Sequence, residues 1–292
     1  MKSTIVITDP GIDDMIALVL LHKLNSGNVC LIPTFGNATE QVSVQNVKEC
    51  ISFVSPSWQW MHGSSVPLNG HLEHPWPDYF HGPDGVWGVH PSVDISMMKP
   101  LHVFPNYTQV ISLATVTDVN KLNAIHKIQQ ITLMGGAFTV KGNETEFAET
   151  NFAFDPDAAH VFFQQVSHGR VQVVPLDVTR KVTWTFDQVQ AVPETNAINI
   201  WLKKLLVTWF KNYTHEREKQ FCLHDPLAVY LSYFPDVAKW YTSGVRIVTK
   251  GKKRGASVFC KENYPCAIAF DLNDPQMISE HIYSLIFLGN QL

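Results

Sequence analysis

The first two dozen residues restrict the fold more than any other stretch. Thr4-Ile5-Val6-Ile7-Thr8 reads as a short buried strand, and Asp13–Leu24 reads as a helix that is apolar almost all round. A helix with no polar face must be covered on several sides, so it belongs inside the molecule against a sheet. The same alternation continues along the chain. Strands are predicted at Val29–Thr34 (weakened by Pro33), Gln109–Ala114, Gln130–Met134, Val171–Leu176, Val245–Thr249 and near Ala267–Phe270. Helices are predicted at Gln41–Val54, Asp155–Val166, Ala197–Asn212, Pro226–Leu231 and Pro275–Phe287. Strands alternating with helices predict an α/β fold, a single open domain over residues 1–292 with a mostly parallel central sheet flanked by helices. Residues 55–108 break the rhythm. They are rich in Pro, Gly, His and Trp (Trp58, Trp60, Trp76, Trp87) and are expected to form a lid or an interface.

Between the first strand and the first helix stands Asp9-Pro10-Gly11-Ile12-Asp13-Asp14. In an open parallel sheet that junction lies at the carboxyl edge, where ligands bind. Pro10-Gly11 makes a tight turn that bends Asp9 and Asp14 toward a common point. Helix capping accounts for one of these carboxylates but not for three. Like charges gathered together need a counter-charge, and a hard divalent cation suits oxygen ligands. A second acidic point is Asp225 in Leu223-His224-Asp225-Pro226-Leu227, just before a predicted helix, with a histidine beside it.

Other classes are excluded by composition. The chain has 292 residues, 45% hydrophobic and 16% charged, with formal net charge -4 and a single short basic run at Lys250–Arg254, so nucleic acid is not expected as a partner. The longest apolar stretch, Met15–Leu21, is too short to span a membrane, and the apolar run before Asp9 is too short for a signal-peptide core. Five cysteines without C-x-x-C spacing suggest reduced thiols, and a cytoplasmic location is expected.

The ordered set Thr8–Asp14, Phe35-Gly36-Asn37-Ala38-Thr39, Ala114-Thr115, Leu133–Phe138, Gly142-Asn143, Glu149–Phe152, Asp155–Ala159, Val174–Thr179 and His224–Ala228 resembles the inosine–uridine-preferring nucleoside hydrolase family across essentially the whole chain. The resemblance implies water-driven cleavage of the N-glycosidic bond of ribonucleosides, with calcium as cofactor and a role in nucleoside salvage. It implies that Asp9, Asp14, Asp225 and the backbone carbonyl of Thr115 hold the ion, with Asp9 also the general base. Asp13 and Asn151 would bind the ribose 2′- and 3′-hydroxyls, Asn143 and Glu149 the 5′-hydroxyl, and Asn37 would sit beside the water and the ion. His224 resembles the acid that serves the leaving base, and His81 a lid histidine lining the base pocket, to which Thr208, Asn212 and Tyr213 should contribute. Relatives of this kind are commonly homodimers or homotetramers. Asp177 reads as structural, buried after a strand and hydrogen-bonded.

One departure stands out. The family usually has an aspartate two residues before the position of Asp9, and here that residue is Ile7. Residues i and i+2 of a strand share a face, so the missing carboxylate would have supported the site from behind. Such losses typically lower metal affinity or activity about 10–100-fold. Two rival readings follow: a catalytically weak nucleoside- or ribose-binding homologue, and a metal-dependent phosphatase. The phosphatase would need an Asp-x-Asp pair, whose first member Ile7-Thr8-Asp9 lacks.

Overall fold

The computed structural model describes residues 3–25, 27–103, 106–122, 128–166, 170–213 and 220–289. Strand β1 (Thr4–Thr8) leads into helix α1 (Ile12–Leu24), and β2 (Val29–Pro33) into α2 (Glu40–Val54). Then come β3 (Gln59–Trp60), the one-turn α3 (Asp78–His81), β4 (Gln109–Ser112) and β5 (Gln130–Met134). The middle of the chain carries α4 (Thr150–Phe154), α5 (Pro156–Gln165), β6 (Val171–Val174), α6 (Leu176–Thr179), β7 (Thr183–Thr185), α7 (Phe186–Gln190) and α8 (Ala197–Asn212). The chain closes with β8 (Gln220–Cys222), α9 (His224–Tyr233), β9 (Ala238–Ile247), β10 (Ser257–Cys260), β11 (Cys266–Leu272) and α10 (Pro275–Tyr283).

Nine strands form one sheet in the order β10-β9-β11-β6-β5-β4-β1-β2-β3, and β7 and β8 pair separately. From β3 to β11 every pairing is parallel; β9 and β10 add antiparallel strands at one edge. Successive side chains of β1 feed two different cores, as the period of a strand requires. Val6 packs with the buried faces of α1, α8 and α9, while Ile5 and Ile7 pack on the other side with Phe162 and Phe163 of α5. Helix α1 is buried from Ile12 to Leu21, in one core with Val6 of β1 and packed against α2, α8 and α9, which explains its lack of a polar face.

The strand order reverses beside β1. The chain moves from β1 to β2 in one direction, and the later strands β4, β5 and β6 fill the other side. A crevice at the carboxyl ends of β1 and β4 is the topological consequence, and it is the usual ligand site of such sheets. Pro33 occupies the last position of β2, opposite a point where β3 has already ended, so it interrupts no ladder.

Several predicted boundaries need correction. Val245–Thr249 is the end of a longer strand, β9, whose first half carries exposed polar residues because it lies near the sheet edge. Residues 55–108 are not a featureless loop. Trp60 joins the sheet in β3, and Trp58 and Trp60 are core residues. The segment then returns over the carboxyl edge as α3.

Candidate active site

Four aspartates meet beneath the crevice. Asp9 leaves the end of β1, Asp13 and Asp14 occupy the first turn of α1, and Asp225 the first turn of α9; all four are buried. Two helix N-termini therefore point their partial positive charge at the same acidic point. Ligand atoms of Asp13, Asp14 and Asp225 lie within 4.8 Å of one another.

The backbone and its small neighbours fix each carboxylate. Asp14 accepts from Thr8 Oγ1 at 2.5 Å, from the Gly11 N–H at 2.9 Å and from Asn37 Nδ2 at 3.2 Å. Asp9 Oδ2 accepts from the Asn37 N–H at 2.8 Å, whereas Asp9 Oδ1 is buried without a hydrogen-bond partner. Gly11 and Gly36 are required by close approach. A Cβ on Gly11 would strike His81 and Asn37, and one on Gly36 would strike the Asp9 carboxylate. Ile7, at the position where the family usually has a carboxylate, packs in the apolar core below.

Burial raises the pKa of all four aspartates. Asp13 is pushed up to about 8 by burial and by the charge of Asp14. Asp9 is held well above the usual range by burial and then Asp14, and Asp225 by burial and then Asp13. Burial also raises Asp14, against the hydrogen bonds from Thr8 and Gly11. No lysine or arginine pairs with any of them among the described residues. A buried cluster of acids with an orphaned carboxylate oxygen fits a hard divalent cation, whose charge would restore the ionised forms. Thr115 is fully buried at the end of the segment that follows β4, so its backbone lies at the same sheet edge.

Above this floor opens a cavity of about 340 Å³. That volume lies within the usual range for small-molecule sites. Eight of the eleven site residues singled out from the sequence line it: Asp13, Asn37, His81, Asn143, Glu149, Asn151, His224 and Asp225. The other three, Asp9, Asp14 and Thr115, are buried and are not part of its wall.

The polar wall is pre-oriented. Glu149 caps α4 and accepts from the N–H groups of Asn151, Phe152 and Gly136 at 2.8, 3.2 and 2.8 Å. Burial pushes its carboxyl up to about 7 against those three hydrogen bonds. Asn151 Nδ2 donates to the carbonyls of Leu113 and Met134 at 2.9 and 3.1 Å, so its Oδ1 is the group left for a ligand. Asn143 Oδ1 accepts from the Thr150 N–H at 3.0 Å, which leaves its Nδ2 as donor.

The opposite end is aromatic. Phe80 of α3 packs edge-on to Trp209 and Tyr213, and Tyr79, Phe80 and Tyr213 all line the cavity. His81 Nδ1 accepts from the Ile12 N–H at 3.1 Å, which pins α3 over the start of α1. Burial lowers the His81 pKa to about 3, and burial with the Arg180 charge lowers that of His224 to about 4. Both imidazoles are neutral at pH 7. Thr179 Oγ1 lies 2.7 Å from His224 Nδ1 and sets that ring's orientation.

Of the three positions expected around the base, Tyr213 lines the cavity, while Asn212 Nδ2 turns back to the Thr208 carbonyl at 2.9 Å and neither Asn212 nor Thr208 lines it. Sequence reading missed Thr8, Thr179, Phe80 and Arg180. Thr8 and Thr179 both lie in segments that carry the family resemblance, and Thr8 also stands beside the acidic turn. Asp177 is structural as expected, accepting from the N–H groups of Phe138 and Thr139 at 2.9 and 2.8 Å.

A parallel sheet with its switch point over a buried acid cluster, below a cleft of small-molecule size, fits a metal-assisted enzyme acting on a small polar substrate. The profile of the inosine-uridine preferring nucleoside hydrolase family matches residues 4–279, and the chain belongs to that family. It is a hydrolase acting on N-glycosidic bonds. A "Probable uridine nucleosidase 1" from Oryza sativa subsp. japonica is 26% identical over 266 residues, covering 85% of this chain and 81% of that protein. A "Pyrimidine-specific ribonucleoside hydrolase RihA" of Salmonella enteritidis PT4 is 30% identical over 268 residues, covering 84% and 83%. Among solved structures, a plant nucleoside hydrolase, the PpNRh1 enzyme, superposes with a TM-score of 0.85 at 24% identity, covering 98% of each chain. A purine-preferring ribonucleoside hydrolase from Gardnerella vaginalis gives a TM-score of 0.82 at 21% identity, again covering 98% of each chain. No helix among the described residues is long and apolar enough to cross a membrane.

Proposed function

We propose that the protein is a calcium-dependent hydrolase of ribonucleosides that serves nucleoside salvage in the cytoplasm as a homodimer or homotetramer, with pyrimidine nucleosides such as uridine as its substrates. The observation that carries this reading is the buried cluster of Asp13, Asp14 and Asp225, with the orphaned Asp9 Oδ1 on the turn before them, at the foot of a cleft whose wall offers Asn151, Asn143 and Glu149. The pyrimidine preference rests on relatives named for uridine or pyrimidine ribonucleosides.

Asp9, Asp14, Asp225 and the Thr115 carbonyl would hold the cation. When bound, that ion polarises water and the sugar hydroxyls as a Lewis acid. Asp9 takes the proton of the attacking water as general base. Asp13 and the Oδ1 of Asn151 hold the 2′- and 3′-hydroxyls. Asn143 Nδ2 donates to the 5′-oxygen and Glu149 accepts its proton. Asn37, already bonded to both Asp9 and Asp14, keeps those carboxylates in register with the water. A ribose gripped at three hydroxyls is positioned for attack at C1′, and the surrounding carboxylates stabilise the oxocarbenium-like transition state. His81 and His224, both neutral, flank the base as hydrogen-bonding groups; His224 with its Nδ1 toward Thr179 presents Nε2 to the leaving base.

The test is base release from a panel of ribonucleosides, with calcium and with chelator. Release from uridine that needs the ion supports the reading. Tight ribonucleoside binding with no release from any member would replace it by a binding role. Release that survives Asp9→Ala would overturn the base assignment alone. Size-exclusion chromatography with light scattering tests the assembly.

A further inference from the structure

The nucleoside cleft has an acidic floor, yet its wall carries a guanidinium. Among the described residues that line it, Arg180 is the only lysine or arginine. It follows α6 directly, one position beyond the Thr179 that contacts His224, so it stands at the base end. Its Nη1 and Nη2 donate to the carbonyls of Lys141 and Gly142 at 2.7 and 3.2 Å, immediately before Asn143. Both acceptors are neutral, and no carboxylate pairs with Arg180 among the described residues. A guanidinium has five N–H donors in a rigid fork, and two are used here. A fixed, uncompensated positive charge with spare donors therefore stands where the base meets the 5′ side of the sugar. The residue is exposed in the free chain. A bound nucleoside would cover this wall and displace the water that screens it.

We infer that Arg180 is a leaving-group residue, donating to the oxo group beside the glycosidic nitrogen and stabilising the negative charge that develops on the departing base. The inference rests on the ribonucleoside-hydrolase reading above. In the step it serves, the C1′–N bond breaks with both electrons going to the base nitrogen, and the conjugated carbonyl spreads that charge onto oxygen. The water oxygen bonds to C1′; one water proton goes to Asp9 and the other stays on the new anomeric hydroxyl. The base anion then takes a proton from solvent, and Asp9 returns its own. Pyrimidine bases such as uracil carry that oxo group at C2, next to the nitrogen that leaves, and gain most. Purines, which have no oxo group next to the glycosidic nitrogen, gain least.

The experiment compares wild type, Arg180→Met and Arg180→Lys on uridine, 5-fluorouridine and 4-nitrophenyl β-D-ribofuranoside, whose phenolate leaves without assistance. Removing a donor aimed at developing negative charge lowers kcat about 100-fold or more. Arg180→Met is expected to lose about that much on uridine, less on 5-fluorouridine, and about 3-fold or less on the nitrophenyl riboside. Arg180→Lys should keep part of the uridine rate. Equal losses on all three substrates, chiefly in KM, would mean that Arg180 only holds the 141–142 backbone, and would overturn the inference. So would unchanged rates. The comparison is a ratio within each variant, so a partly unfolded preparation does not blur it. A wild type that releases no base from uridine would sink the hydrolase reading together with the inference; an active wild type with a flat variant ratio sinks only the inference.

Discussion

The sugar end and the base end of the cleft are held by different kinds of structure. At the sugar end, Asp9, Asp13, Asp14 and Asp225 come from one strand end and two helix starts, all buried, and Glu149 and Asn151 are tied to backbone groups. At the base end, Tyr79, Phe80 and His81 come from a one-turn helix inside a long irregular segment, and Tyr213 is the residue that follows α8. The first end rests on the sheet and can place a carboxylate to a fraction of an ångström. The second rests on aromatic packing and a few hydrogen bonds, and meets the first where His81 accepts from the Ile12 N–H. A fold divided this way can keep one reaction and vary the base it releases.

Mutations at the two ends should separate along the same line. The largest effect is expected from Asp14→Ala, which removes an acceptor shared by Thr8, Gly11 and Asn37 as well as a cation ligand. Ion-assisted stabilisation is worth several kcal/mol, so kcat/KM for uridine should fall about 1000-fold or more, with calcium affinity falling in parallel by isothermal titration. Next is Asn151→Ala, expected to lower kcat/KM about 100-fold, mainly through kcat, because sugar binding energy is used on the reacting bond. A loss confined to KM would contradict that. Phe80→Ala, at the base end, should raise KM about 10-fold with kcat little changed, given the worth of a buried aromatic contact. If Phe80→Ala damaged kcat as much as Asn151→Ala, the division of labour would fail.

The smallest effect concerns the anchoring of the segment that carries α3. His90 Nδ1 lies 2.7 Å from Glu49 and its Nε2 3.1 Å from Asp84, while Asn46 of α2 bonds the carbonyls of Asp84 and Pro10. Burial works against the His90 charge, but the hydrogen bonds and charges of Glu49 and Asp84 outweigh it and raise its pKa. A histidine raised on folding adds stability that is full below its unfolded value and is lost as pH rises through its folded value. The His90→Asn variant should therefore melt below wild type at pH 6 by about 1–3 °C, and the gap should close by pH 9. A gap that widens with pH would reverse the sign and remove the clamp.

The sugar end was legible in the sequence and the base end was not, for a physical reason. Asp9, Asp13 and Asp14 lie within six residues of a turn between a strand and a helix, and Asp225 beside a histidine at a helix start, so local pattern placed them at the carboxyl edge. Thr179 and Arg180 carry no such local sign. Their role depends on α6 bringing them beside His224, a contact 45 positions away in sequence. The polar first half of β9 was missed because an edge strand lacks the apolar alternation that marks a central one. Trp58 and Trp60 were read as lid or interface residues because their neighbours are loop-like; their burial depends on pairing of β3 with β2. Ile7, where the family usually carries a carboxylate, sits in the apolar core, and Thr8 and Asn37 hold Asp14.

The central claim is that the buried aspartates work around a divalent cation. The direct measurement is uridine hydrolysis by enzyme stripped with chelator, followed by calcium titration of both rate and melting temperature at pH 7. Asp13 with a pKa near 8 and the other raised carboxyls make the stripped protein less stable as pH rises from about 4 to 8. Stripping is expected to abolish base release, calcium to restore it together with a rise in melting temperature, and Asp14→Ala to show neither recovery. Undiminished release from fully chelated enzyme, with no shift in melting on adding calcium, would contradict it.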